Sequence, residues 1–423
     1  MIMRTQISIP LSAALCFTCL SVHATDWPQW RGPERNGLSS ETGLLKEWPK
    51  DGPKLVWQVA DAGVGYSTPA VSGNRLFELG NEGVENEFVE ARSTVDGKRV
   101  WQTRLGKVGN PDQEPKFPGA RSTPTIDGDL IFALGSDGDL ACLEKGTGKI
   151  RWKKSLRTDF GGKPGVWAYS ESPLVDGDTL VCTPGGSEAS LIALAKKTGE
   201  VKWKAVVPGG DEAAYSSASV VDAAGTKQYV QMLQKGLVGV DAKTGKVLWN
   251  YNKTVSKFKA NIPTPVARGA EIYSAGAGTG GGLIKLKKSS DGVEAEQVYF
   301  SPKLPTAIGG AVLLGDHLYG TGGAGMLCVQ FSSGDVKWED RALGAASLFF
   351  ADGRLYLHGE NGEVALVEPS TEGYREKSRF APPAQPKRLS SMEKAWTYPV
   401  VADGRLYVRD HQLLWCYDVK SGT

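Results

Sequence analysis

The chain has 423 residues, with 49 Lys plus Arg set against 47 Asp plus Glu and a formal net charge of +2. That balance leaves no electrostatic footprint for nucleic acid or for an anionic membrane surface. The 53 glycines and 23 prolines, with no sustained helical period, point to an all-β fold rich in turns.

Residues 1–24 read as a secretory signal peptide. Arg4 supplies a short positive start, an apolar stretch fills residues 7–20, and Val22-His23-Ala24 offers small residues at a cleavage point. The stretch is too short and interrupted to span a bilayer, so the expected location is periplasmic or secreted. Residues 25–52 follow as an N-terminal arm containing Trp27-Pro28-Gln29-Trp30-Arg31-Gly32-Pro33, and residues 53–423 form a repeat domain.

The repeat shows in endings such as Gly-Lys-Arg-Val-Trp101, Gly-Lys-Ile-Arg-Trp152, Gly-Glu-Val-Lys-Trp203, Gly-Lys-Val-Leu-Trp249 and Gly-Asp-Val-Lys-Trp338. A period of about 40–50 residues means one supersecondary unit per repeat. The second copy parses most clearly. An inner strand at residues 122–126 leads through Gly128-Asp129 to a strand at 130–134. A third strand at 140–143 then leads through Thr147-Gly148 to an outer strand ending at Trp152. Turns of both kinds recur eight times, which predicts an eight-bladed β-propeller of four-stranded antiparallel blades. The last copy stops at its outer turn, while Lys54–Val59 is an outer strand with no inner strands before it. This N-terminal strand is therefore expected to complete the last blade and remove the open edges. One aromatic per blade is expected to dock it on its neighbour: Trp57, Trp101, Trp152, Trp203, Trp249, Phe300, Trp338 and Phe380.

Four cysteines follow the signal segment. Cys142, Cys328 and Cys416 share one place in the repeat, which predicts small buried positions and no disulfide framework. His317, His358 and His411 fall on different blades and suggest neither a metal triad nor a Ser-His-Asp arrangement. Gly276-Ala277-Gly278-Thr279-Gly280-Gly281 fits a dinucleotide fingerprint by letters, but no helix follows, so it reads as a turn.

The loops entering the inner strands converge on one face of a propeller, where ligands sit. They bring Tyr66, Arg121, Trp167, Tyr169, Glu171, Tyr215, Asn261, Trp396 and Tyr398 to the channel mouth. Trp167, Tyr169 and Trp396 are candidates for stacking, Arg121 for a carboxylate, and Glu171 with Asn261 for a hard cation. The insertions at residues 107–119 and 160–166 overhang the same face.

Residues 237–249, reading Leu-Val-Gly-Val-Asp-Ala-Lys-Thr-Gly-Lys-Val-Leu-Trp, resemble the PQQ-like propeller repeat with its Thr-Gly-Lys-x-x-Trp ending. The resemblance covers residues 57–423, and the tryptophan-rich arm is similar to that of a secreted bacterial subgroup. It implies two different roles. Quinoprotein alcohol dehydrogenases hold PQQ and calcium over the channel mouth, with an Arg, a Glu and an Asn in comparable jobs. The propeller lipoprotein of the barrel-assembly machinery is a scaffold without cofactor. This chain lacks the adjacent Cys-Cys pair and the Cys-x-x-Cys-His haem site that working dehydrogenases carry. The expectation is a monomeric binding or scaffold module with no catalytic residue assigned. Its partner would be a periplasmic or extracellular protein, a glycan or a small molecule. The alternative is a PQQ- and calcium-dependent oxidoreductase, with Arg121, Trp167, Tyr169, Glu171, Asn261 and Trp396 around the cofactor and Glu171 and Asn261 on the metal.

Overall fold

The structure is a computed structural model that describes residues 26–422 except 115, 291, 324 and 342. The signal-peptide reading of residues 1–24 and Asp291 of the fifth outer turn lie outside the described residues.

Eight antiparallel sheets follow one another in chain order, each running from a short inner strand to an outer one. In the second blade these are Thr125–Asp127, Leu130–Leu134, Asp139–Glu144 and Ile150–Ser155. The inner strand begins only after Pro124, which has no N–H to give to a ladder. Side chains tie the preceding residues instead: Thr123 N donates to Ser172 Oγ and Ser67 Oγ donates to Ser122 O, so each loop is fastened to the next blade. The turns after the inner strands divide by φ. Ala224-Gly225, Asp352-Gly353 and Asp403-Gly404 have both residues left-handed, while Gly73, Gly128, Gly177, Gly269 and Gly315 carry positive φ at the first position only. Those are the φ patterns of the two-residue hairpin turns that match strand twist.

The ring closes as the sequence predicts. Lys54–Val59 pairs with Leu413–Asp418 and becomes the outer strand of the eighth blade, with Trp57 opposite Cys416. In all eight blades the register slips by one residue between third and outer strands, next to the docking position. The slip tilts the aromatic onto the outer turn of the next blade. Indole Nε1 of Trp101 donates to Lys145 O at 3.1 Å, Trp152 to Lys196 O at 3.0 Å, and Trp203 to Ala242 O at 3.1 Å. Gly148 lies beneath Trp101 at φ +71°, and a Cβ there would stand 2.5 Å from the ring. Trp249 departs from the pattern by donating to Gln228 Oε1 within its own blade.

One expected docking aromatic is corrected. Phe300 is 38% exposed, and its neighbour Tyr299 docks instead, donating from Oη to Phe331 O at 2.9 Å. In the seventh blade Ser378 takes the register position of the other docking rings, opposite Leu366, and Phe380, two residues on, docks as expected: it is 6% exposed, lies over Gly52 just before the outer strand of the eighth blade, and meets Tyr417 of that blade edge-on at 5.0 Å. Trp48 of the arm packs beside it, its backbone N–H donating to Ser378 Oγ and its ring edge-on to Phe380 at 5.4 Å. Counting from the turn glycine missed Tyr299 because a one-residue slip moves a strand side chain to the other face. Cys142, Cys328 and Cys416 lie opposite the docking tryptophans, and all four described cysteines are buried and free. A five-residue helix at Leu156–Phe160, capped by Ser155, precedes the second insertion. Among the described residues no helix is long and apolar enough to cross a membrane.

Candidate functional site

The arm decides what kind of channel this is. It runs beneath the inner strands and pairs Trp27 with Val71 of the first blade. Pro28 O accepts from Ile126 N of the second, and Leu38–Ser39 lies parallel to the inner strand of the seventh. Inner edge strands expose unpaired carbonyls, and the arm supplies donors for them. Arg35 Nη1 reaches Pro173 O at 3.0 Å, Arg35 Nη2 reaches Ser172 O at 2.9 Å, and Arg31 Nη2 reaches Ala311 O at 2.5 Å. Trp30 turns inward, donating to Thr264 Oγ1 and packing edge-on against Tyr398 at 4.6 Å.

Above Trp30 a cavity of about 250 Å³ opens to the loop face. Its rings are Trp30, Tyr66, Phe117, Trp167, Tyr215, Trp396 and Tyr398, with Arg121 as the charge. Tyr66 and Trp396 meet at 5.1 Å, and Phe117 packs edge-on against Trp167 at 5.1 Å. Phe117 also lies nearly parallel to Trp396, with centroids 6.3 Å apart. The insertion at residues 107–119 thereby caps the cavity, held by Gln113 Nε2 donating to Val166 O and Tyr66 Oη to Lys116 O. Arg121 is half-buried, with its guanidinium 5.9 Å from the Tyr66 ring centre. It donates to the carbonyls of Pro118, Phe117 and Trp167, which spends three of its five N–H groups.

Of the six candidate residues, Arg121, Trp167 and Trp396 line this cavity; Tyr169, Glu171 and Asn261 do not. Tyr169 is buried between the second and third blades and donates to Pro184 O. Glu171 is 2% exposed, its carboxylate accepting from Thr183 N, from Thr183 Oγ1 at 2.7 Å and from Gln231 Nε2 at 3.0 Å. Asn261 is fully buried. Its Oδ1 accepts from Ser256 N, and its Nδ2 donates to Leu233 O and Gln234 O. The reason is alternation along an extended chain. Ser170 and Ser172 face the cavity while Tyr169 and Glu171 face away; Ala260 and Ile262 face it while Asn261 does not. Trp30 and Phe117 were missed, although the tryptophan-rich arm motif and the length of the first insertion were signals.

Buried carboxyls in the blades carry a pH signature. Burial pushes Glu171 up to about 7 against the Thr183 donors, and pushes Glu87 up to about 8 against the N–H and hydroxyl of Ser136. Their ordinary value is 4.5, so between the two values the folded chain keeps protons that the unfolded chain has released. Stability then falls as pH rises through that window. His358 and His411 are lowered from 6.5 by burial, which costs stability as pH falls below that value. The melting temperature is expected to peak near about pH 6 and decline toward about pH 8.5, and Glu87→Gln should flatten the alkaline limb. A melt that climbs steadily from pH 6 to pH 8.5 would contradict this.

Comparison with known proteins bears on the same region. A family model described as outer membrane protein assembly factor BamB matches residues 85–340. Tetrathionate hydrolase from Acidithiobacillus ferrooxidans is 26% identical over 280 residues, covering 62% of this chain and 51% of that protein. The chain thus spans about half the length of that relative. The crystal structure of BamB from Moraxella catarrhalis superposes with TM-score 0.60 at 15% identity, covering 86% of this chain and 98% of that one. The quinohemoprotein alcohol dehydrogenase ADHIIG from Pseudomonas putida HK5 superposes with TM-score 0.61 at 12% identity, covering 94% and 81%. At those identities the superpositions speak for the fold alone.

A calcium ion asks for six to eight oxygen ligands, several of them carboxylates. The cavity lining has no carboxylate, and the oxygens of Glu171 and Asn261 are spent on protein donors. Among the described residues no group of three or more His, Cys, Asp or Glu is placed to hold a metal. These residues do not fit a calcium centre. A flat ring system meets a better fit in the lining, with a single cation for its charge.

Proposed function

The chain belongs to the PQQ-like β-propeller family, and on that premise we propose that it is a binding module of the cell envelope. A flat ligand or an aromatic side chain of a partner enters the loop-lined mouth of its channel. The observation that carries the reading is the chemistry of the cavity: seven rings, several hydroxyls and Arg121, with no carboxylate, histidine, cysteine or lysine. Such a lining offers stacking area and one anion contact, while general acid–base work needs a group that titrates near the operating pH. The tyrosines do not supply one, because burial raises Tyr66 and Tyr215 above their ordinary value. The assembly-factor relatives support a protein partner and an envelope location; a glycan or small molecule suits the same rings.

Trp30, Trp167 and Trp396 make the site visible by fluorescence. Titration with PQQ as a flat anionic probe, with and without calcium, should quench emission saturably and independently of calcium. Arg121→Ala and Trp167→Ala should each weaken binding about tenfold or more without a matching loss of melting temperature. Calcium-dependent binding with dye reduction by simple alcohols would replace this reading with the oxidoreductase. No saturable quenching by PQQ or by a panel of aromatic acids and aryl glycosides would remove the cavity from the function.

A further inference from the structure

The near-zero net charge of the chain conceals an uneven loop face. The loops that enter blades five to eight, residues 252–265, 302–310, 341–345 and 381–399, carry three, one, one and three Lys or Arg, with Glu393 as their one acid. The loops that enter blades one to four, residues 60–69, 107–124, 156–173 and 206–218, carry five Lys or Arg against seven Asp or Glu. Turns between second and third strands reach the same face. They add Glu360 and Glu363 to the first half, and Glu85, Asp137, Glu188 and Lys235 to the second, so one half stays basic and the other stays acidic. The basic half is also unneutralised. Among the described residues Lys257, Lys259, Lys303, Lys387 and Lys394 meet no carboxylate within 4.0 Å, whereas Lys107 and Arg157 on the other half both pair with Asp137.

Apolar side chains stand among those lysines. Phe258, Leu389 and Met392 are 69%, 51% and 63% exposed, more than any exposed apolar residue of the outer strands. Phe258 lies between Lys257 and Lys259, and its ring rests on Gly278, where a Cβ would stand 2.6 Å away. Gly278 has φ +72°, so this floor is one that glycine forms without strain. The ring is thus held on one side and open to solvent on the rest. Beside it a depression of about 570 Å³ runs past Thr306, Ala345 and Glu360, and it shares Ile308 with the ring-lined cavity. Glu360 Oε1 accepts from Trp396 Nε1 of that cavity, and Glu360 also borders a third depression lined by Leu389 and Lys394. The shared walls make a track from the rings to the cations of blades five and eight.

A flat anionic membrane would bring its charge against the acidic half as well as the basic one, and would leave the depressions empty. A glycan uses flat ring faces, which Leu389 and Met392 lack, whereas exposed Phe, Leu and Met together suit a polypeptide. An extended acidic peptide meets every feature: carboxylates for the lysines, apolar side chains for Phe258, Leu389 and Met392, and a ring for the cavity. We propose that the basic half of the loop face docks an extended acidic segment of a partner protein, with an aromatic residue of that segment seated in the ring-lined cavity. Such docking rests on the cavity being a binding site, and the unpaired lysines add the sign of the partner's charge.

The test uses the whole chain and a short fluorescein-labelled peptide with Glu at alternate positions, Leu between them and a central Phe. Anisotropy should show saturable binding that weakens as ionic strength rises. Replacing every Glu by Gln, or the Phe by Ala, should weaken it about tenfold or more. Lys257→Glu with Lys303→Glu, and Lys387→Glu with Lys394→Glu, should each cost about tenfold with the melting temperature unchanged. Lys163→Glu on the other half should leave binding as it is. An uncharged aryl glycoside should quench the cavity tryptophans of all these variants alike. Binding that ignores the four lysines, a Gln peptide as tight as the Glu peptide, or phosphatidylglycerol vesicles or polygalacturonate competing better than unlabelled peptide at equal charge overturns the proposal. If the Glu peptide fails to bind while the aryl glycoside still quenches, the docking falls and the cavity reading stands; if neither binds, both fall.

Discussion

Deleting residues 53–59 should leave a chain that no longer melts as a single cooperative ring. The segment contributes five paired positions to the eighth blade, from Lys54 with Asp418 to Val59 with Leu414. It also carries Trp57, 8% exposed, whose Nε1 donates to Thr94 O of the first blade at 2.9 Å. Loss of one buried tryptophan costs about 3–5 kcal/mol. The whole stability of a folded protein is of order 5–15 kcal/mol, so the strand and its docking ring together are comparable with the total. Deletion further strips the edge of Leu413–Asp418, a mostly buried apolar strand whose backbone would become a template for pairing between chains. The expected products are oligomers by size exclusion and a melting temperature lower by more than about 10 °C. A synthetic peptide of residues 50–60 added in trans should recover part of the loss. A monomer that melts unchanged would mean that the ring is held elsewhere.

The fold was legible because its signals are local. A turn glycine and an aromatic a few residues later recur in every copy, and hairpin chemistry needs no knowledge of distant contacts. The spare strand at Lys54–Val59 was legible by count, since a ring of eight with one blade short of a strand has one place for it. The docking of Tyr299 and the packing of Trp48 beside Phe380 were not, because they depend on a register slip and on a segment far away in sequence. At the channel mouth the approach of the loops was readable but their parity was not. Arg121, Trp167 and Trp396 face the cavity, whereas Tyr169, Glu171 and Asn261 are one residue out of phase with the serines and isoleucine that do. Residue type suggested the chemistry; strand alternation decided which side chains were available for it. The arm was the larger omission. Nothing in its composition says that Trp30 rises into the channel, since that follows from Arg31 and Arg35 finding carbonyls on the sixth and third blades.

Arg409→Met should be among the most damaging single substitutions, and its cost should depend on pH. Arg409 is fully buried on the second strand of the eighth blade. It donates to five carbonyls, one on its own hairpin at His411 and four across the closing seam at Ser67, Leu79, Ala62 and Gly63. Its Nη1 is 3.1 Å from Glu78 Oε2, and Glu78 is also fully buried. Behind Glu78 stand Arg92 at 3.7 Å and the Glu90–Arg92 pair at 2.5 Å, so the seam encloses a small charge network. Removing one member of a buried pair costs about 3–5 kcal/mol because the other charge is left alone, which for a cooperative chain of this length is about 3–6 °C in melting temperature. Burial already pushes Glu78 up to about 7, with Arg409 the leading influence holding it down. Without Arg409 its value rises further, so the folded variant must either keep the proton or bear the charge. A raised carboxyl favours the folded state at low pH and loses that favour as pH climbs through its folded value. The gap between wild type and Arg409→Met should therefore be widest at about pH 8 and shrink toward about pH 5, where Glu78 is protonated in both. Glu78→Gln added to Arg409→Met should recover part of the loss at pH 8 and little at pH 5, a coupling of about 0.5–3 kcal/mol. If the gap is the same at both pH values, the five carbonyls and not the charge account for the damage, and the seam is held by hydrogen bonds alone.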